Sequence, residues 1–198
     1  MKRWLRFTAA VLAAAFLFAL TGCGSSTNSA SFTWFVDSIP ANLDPQVASG
    51  ASDVIACENL YGTLVRKDPD GELVPGLCEK WTVSPDGLTY TFTLKDGLTY
   101  AAAKGAATEY DITAEDFVFA FRRIFRADTA SPYAVEFSAI QNSAAVQAGL
   151  VDESSLGVSA NGALTLVFRL SERDDNFLAK LALPGAAPCE EAFFESTR

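Results

Sequence analysis

Hydrophobic residues first appear as an unbroken block. From Ala9 to Leu20 the chain is apolar, behind the basic residues Lys2, Arg3 and Arg6. A bilayer core of about 30 Å takes ~20 apolar residues to cross, so this block is too short to span one. Charge, apolar run and small residues in that order read as a signal peptide over residues 1–22. Ser25, Ser26, Asn28 and Ser29 then make residues 23–31 a polar tether. Beyond it the pattern takes the periods of folded structure. Residues 32–36 (Phe-Thr-Trp-Phe-Val) form a short β-rich run, and residues 40–45 read as loop. Residues 53–61 suit a helix with Ser52 as N-cap. Residues 63–66 suit a strand, closed by the turn Asp68-Pro69-Asp70-Gly71.

The clearest strand runs from Leu88 to Leu94. Leu88, Tyr90, Phe92 and Leu94 share one face, and Thr89, Thr91 and Thr93 share the other. With residues 81–83 and the turn Ser84-Pro85-Asp86-Gly87 it forms a hairpin with one buried face. The clearest helix starts at Thr113, an N-cap followed by Glu115 and Asp116 in the first turn, where the helix dipole favours acids. Phe117, Phe121, Ile124 and Phe125 follow at helical spacing. Arg122, Arg123 and Arg126 occupy the last turns and read as a solvated helix end whose cations complement the dipole, rather than as a phosphate site. Ser159-Ala160-Asn161-Gly162 signals a second hairpin leading into a strand over residues 164–170. Residues 174–183 suit a helix stopped by Pro184, and residues 193–198 are again helical in pattern.

Composition narrows the chemistry. The chain has no histidine, which excludes His-based triads, HExxH zinc sites and His general bases. Its net charge is −9, and the basic signal segment makes the remainder more acidic still. An acidic body does not suit nucleic acid, whose affinity comes largely from Lys and Arg on phosphates. Cys57, Cys78 and Cys189 match no CxxC or zinc-ribbon spacing. They read as buried small residues with at most one bridge among them, binding no metal. The Asp68–Gly71 turn resembles a calcium loop but lacks the later ligands. No GxGxxG, GxxxxGK or GxSxG occurs.

Leu20-Thr21-Gly22-Cys23 resembles the lipobox of bacterial lipoproteins, which implies cleavage before Cys23 and lipid on its thiol. Further on, a series of phrases resembles the family 5 extracellular solute-binding proteins, the oligopeptide and dipeptide binders of ABC importers. They are Asn42-Leu43-Asp44-Pro45-Gln46, Glu58-Asn59-Leu60-Tyr61-Gly62-Thr63-Leu64-Val65 and Asp70-Gly71-Glu72-Leu73-Val74-Pro75-Gly76. Ser84-Pro85-Asp86-Gly87 with its strand and Thr113-Ala114-Glu115-Asp116-Phe117 complete the series. Asp128-Thr129-Ala130-Ser131-Pro132-Tyr133 resembles a segment of the oligopeptide binders.

The resemblance implies an α/β fold of the periplasmic binding protein type II architecture, incomplete, with residues 32–198 as an N-terminal lobe only. It implies Tyr133, Ser49, Gly50 and Ala51 as ligand-binding residues, since a peptide of any sequence can be held by its main chain. Read without it, Ser49–Ala51 is a flexible turn and Tyr133 a core aromatic. It also implies no catalysis and no cofactor. The partners would be a peptide ligand, ABC permease subunits, and the membrane through Cys23, in an exported protein facing the periplasm or cell exterior. Family members are longer and close a second lobe over the ligand, so the resemblance implies a truncated chain that binds peptide weakly by itself. Alternatives are a family member for nickel, a sugar or another small solute, a peptide-sensing lipoprotein, a folding helper, or an exported hydrolase. The stretch of residues 100–111 is longer and richer in alanine than the family pattern.

Overall fold

The structure is a computed structural model, and it describes Thr33 and residues 37–101 and 110–197. The signal, the tether, Cys23 and nearly all of the run at residues 32–36 lie outside the described residues. In chain order the elements are α1 (Ala51–Leu60), β1 (Val65–Lys67), β2 (Leu73–Pro75), β3 (Cys78–Val83), β4 (Thr89–Leu94) and α2 (Ala114–Phe125). They are followed by α3 (Ser143–Gln147), β5 (Val158–Ala160), β6 (Thr165–Arg169), α4 (Phe177–Lys180) and α5 (Glu191–Ser196). Short 3-10 turns at Pro132–Ala134, Glu153–Ser155 and Pro184–Ala186 join the later elements. This is a mixed α/β architecture, as the sequence indicates.

Strands β1 and β2 form a small antiparallel ribbon, and a four-stranded antiparallel sheet has the order β3-β4-β6-β5. The alternation in β4 sets the register of this sheet. Tyr90, Phe92 and Leu94 point into the core opposite Leu166 and Phe168 of β6, while the threonines face the half-exposed side. A one-residue slip would exchange these faces, so the buried set holds the pairing. The tight turn between β3 and β4 has Gly87 at φ +73°, a conformation that side chains resist.

Helix α2 lies against β5 and β6. At its start the Asp116 carboxylate accepts hydrogen bonds from both the backbone N–H (2.6 Å) and the hydroxyl of Thr113, so the N-terminal signal is realised. Phe121 of α2 meets Phe168 of β6 and Phe137 edge-on, each at 4.9 Å between ring centroids. Phe168 also contacts Phe92 and Phe177. Edge-to-face pairs of this kind add roughly 0.5–1.5 kcal/mol each beyond the area they bury.

Three expectations are corrected. Helix α1 starts two residues early, at Ala51 with Gly50 in the cap position. Ser52 instead turns its hydroxyl to the hydroxyl and amide of Ser38, and Asp53 accepts the Ala41 amide at 2.7 Å. The helix sought over residues 174–183 shrinks to α4. Asp174 accepts the Asn176 amide and the Lys180 ammonium, a local turn that competes with helix at its start. The third correction concerns the basic trio. Arg123 is 3% exposed and ion-paired, so the end of α2 is not a solvated face. Helix α2 is covered on two sides: Phe117, Phe121 and Ile124 face the sheet, and Asp116, Phe119 and Arg123 face residues 189–194.

Candidate functional site

Ser49, Gly50 and Ala51 lie together and exposed at the start of α1. The first N–H groups of a helix have no acceptor within it, so this corner presents backbone donors. Tyr133 is placed differently. It is 7% exposed, and its ring rests on Gly185, where an added Cβ would come within 2.4 Å of the ring. Burial, and to a smaller extent the nearby Cys57 and Glu58 of α1, pushes its hydroxyl pKa up. Tyr133 is therefore beside the C-terminal half of α1, and the three small residues are at its N-terminal end. The turn bearing Gly185 packs directly on α1.

What ties these pieces together is a buried polar node that the sequence reading missed. The Arg123 guanidinium on α2 reaches back to Asp44, with Nη2 2.5 Å from Oδ2. Its Nη1 donates to Gln46 Oε1 at 2.5 Å and lies 3.5 Å from Cys189 Sγ, and its flat face covers the Phe194 ring at 3.9 Å. Gln46 then donates its amide to the carbonyls of Ala187 (2.9 Å) and Gly185 (3.3 Å). Neighbouring groups take their charge state from this packing. Burial raises the Cys189 thiol to about 11 despite the guanidinium, which pulls it down. Arg126, one turn on, makes a two-pronged pair with Glu153 and holds that carboxyl below its usual range.

A pocket of about 200 Å³ opens between Asp44, Arg123, Arg126 and Phe194. Its arginines are already engaged by Asp44 and Glu153, and none of Ser49, Gly50, Ala51 or Tyr133 lines it. Among the described residues no three His, Cys, Asp or Glu side chains converge as metal ligands. Cys57, Cys78 and Cys189 are unbridged, the first two buried.

Two consequences are measurable. Gly185→Ala should force the Tyr133 ring aside and lower stability by about 1–3 kcal/mol, the usual range for overpacking. Urea unfolding and tyrosine fluorescence would read both effects, and an unchanged midpoint would show that the ring has room. Asp116, in contrast, should make stability rise on acidification. Burial lifts its folded-state pKa to about 6 from an ordinary 3.8, with Glu190 and Glu115 adding to the rise and the Thr113 bonds opposing it. Between those values the folded state holds the proton more firmly than the unfolded chain, so stability increases as pH falls from 7 towards 4. Thermal midpoints across that range should show a gain that Asp116→Asn lacks. Parallel profiles for the two proteins would rule out Asp116 as its source.

The architecture is that of the periplasmic binding proteins. The chain superposes on the Escherichia coli murein tripeptide binding protein MppA with a TM-score of 0.71 and 33% identity, covering 80% of this chain and 30% of MppA. It belongs to the bacterial extracellular solute-binding proteins, family 5, whose middle-region model matches residues 72–197. The oligopeptide-binding protein AliA of Streptococcus pneumoniae serotype 4 is 30% identical over 188 residues, 94% of this chain and 28% of AliA. YgiS of Escherichia coli (strain K12), a periplasmic protein named for deoxycholate binding, is 34% identical over 151 residues, 75% of this chain and 27% of YgiS. The chain thus spans less than a third of the length of the curated relatives it matches.

Proposed function

We propose that this protein captures oligopeptides outside the cytoplasmic membrane and delivers them to the permease of an ABC importer, catalysing nothing itself. The observation that carries the reading is the exposed Ser49–Gly50–Ala51 corner on the helix that also flanks Tyr133. Backbone donors at an exposed helix start suit a ligand recognised by its main chain, with side chains left free to vary. The relatives named for oligopeptides support the same class of ligand. A Cβ added at Gly50 would meet the Asp53 carboxylate at 3.3 Å, so the glycine leaves that side of the corner clear.

The test starts with protein purified natively from its own cells. Denaturation should release peptides identifiable by mass spectrometry, and calorimetry with tri- to pentapeptides should give binding. Tyr133→Ala should weaken that binding by about tenfold, roughly 1.4 kcal/mol of lost contact. No released peptide and no heat at millimolar peptide would sink the reading. YgiS supports a second one, an amphipathic non-peptide solute. Heat with deoxycholate but none with peptides would select it.

Cys23 is proposed as the attachment point for lipid, on the Leu20-Thr21-Gly22-Cys23 phrase. Acyl chains contribute ~0.8 kcal/mol per buried CH₂, so two of them hold a protein on a membrane. Cys23→Ser should move the protein from the membrane to the soluble fraction. Retention of that variant in washed membranes would refute the anchor.

A further inference from the structure

Gln46 is fully buried, three residues ahead of Ser49, and every polar atom of its side chain is used. Its two amide hydrogens go to the carbonyls of Gly185 and Ala187, and its oxygen accepts from Arg123. Only glutamine fits this triangle well. A glutamate would set carboxylate oxygen against two carbonyl oxygens, and a reversed amide would set NH₂ against the guanidinium. The main chain of the same residue is also engaged. Its carbonyl accepts the Ser131 hydroxyl at 2.5 Å, and the Ser131 oxygen in turn accepts the Tyr133 amide at 3.2 Å. Tyr133 is thus fixed from both sides, through Ser131 at its backbone and through Gly185 under its ring. Downstream of Gln46, the amides of Val47 and Ala48 bond to the Asp44 carbonyl, and Ala48 is buried, so the chain leaves the node in one direction towards Ser49.

We propose that Gln46 is a positioning residue, whose buried amide holds the Ser49–Ala51 corner and the Tyr133 ring in a single fixed relation. It touches no ligand. It acts through the two groups that do on the peptide-binding reading above, on which its functional meaning rests. Held together they form one preorganised surface; released, each must be ordered by the ligand, and affinity falls by the cost of that ordering.

The experiment compares amide hydrogen exchange in the full chain for wild type, Gln46→Met and Ser131→Ala. Gln46→Met keeps the volume and removes the three side-chain bonds. Ser131→Ala removes the two bonds of one hydroxyl, to the Gln46 carbonyl and from the Tyr133 amide, at a partly exposed position and leaves the core intact. A core variant, Ile140→Val, serves as a control for stability loss alone. Exchange at Val47, Ala48 and Tyr133 should accelerate by about tenfold or more in the first two variants, the effect of losing one or two such bonds. Amides of the distant sheet should be unchanged in Ser131→Ala, and Ile140→Val should leave the three site amides as in wild type. Trialanine and pentaalanine titrations form a separate arm. Where wild type binds, both node variants should weaken binding about tenfold and Ile140→Val should not. Acceleration spread evenly over sheet and site, no acceleration in Gln46→Met, or unaltered affinity would each overturn the positioning role. If wild type binds neither peptide, the peptide reading is what fails, and the exchange pattern still decides whether Gln46 couples the corner to Tyr133.

Discussion

Arg123→Ala should destabilise the protein by up to about 3–5 kcal/mol, the range found when one partner of a buried ion pair is removed; Arg123 is buried, while Asp44 is partly open to solvent. The loss has identifiable parts. Asp44 keeps a charge without its counterion, Gln46 Oε1 loses its donor, and Phe194 loses the cation lying over its face. Arg126→Ala provides the contrast. Its pair with Glu153 is partly open to solvent, and such pairs contribute about 0–1 kcal/mol. Urea unfolding of the two variants should therefore differ severalfold in effect, though they sit one turn apart on the same helix end. Pairing Arg123→Met with Asp44→Asn should recover part of the loss, because it removes the uncompensated charge. Similar small changes for Arg123→Ala and Arg126→Ala would show that Arg123 is better hydrated than its burial suggests.

Phe168→Ala is the second large effect, at about 3–5 kcal/mol. The ring is fully buried on β6 and touches Phe92, Phe121 and Phe177, so three elements lose a shared neighbour. The sheet and α2 cannot both collapse into the gap without giving up their register. In a domain of this size each kcal/mol lowers the thermal midpoint by roughly 2–4 °C. Phe168→Leu, which refills much of the space, should recover over half of the loss. A Phe168→Ala midpoint within 2 °C or so of wild type would mean that the core relaxes around the cavity.

The sequence showed some of this clearly because the relevant signals are local. The alternation in β4 and the capped start of α2 are written within a few residues, and both elements occur where their patterns put them. Local pattern was weaker where a side chain had two possible partners. Ser52 could cap its own helix, yet it bonds to Ser38, and Asp174 opens a local turn where helix was expected to start. The polar node was not legible for a different reason. Arg123 and Asp44 are far apart in the chain, and nothing near Arg123 distinguishes a buried guanidinium from an exposed one. One signal was available in retrospect: Asp116, Phe119 and Arg123 share a helix stripe, and Phe119 gave that stripe an apolar member. For the site, Ser49, Gly50 and Ala51 came from resemblance alone. Their exposure at a helix start agrees with a binding role. Tyr133 is buried enough to satisfy either the core or the cleft reading.

The separation that hid the node also affects how the chain is assembled. The Gln46 bond to Ala187 joins positions 141 residues apart, whereas the β3–β4 and β5–β6 hairpins close over a few residues each. Ordering so long a loop is slow, and its contacts form once the nearer pairings have reduced the search. The corner at Ser49 is thus expected to settle after the hairpins. Substitutions at Arg123 or Gln46 should then act mainly on how fast the native state comes apart, leaving the rate at which the sheet forms nearly untouched.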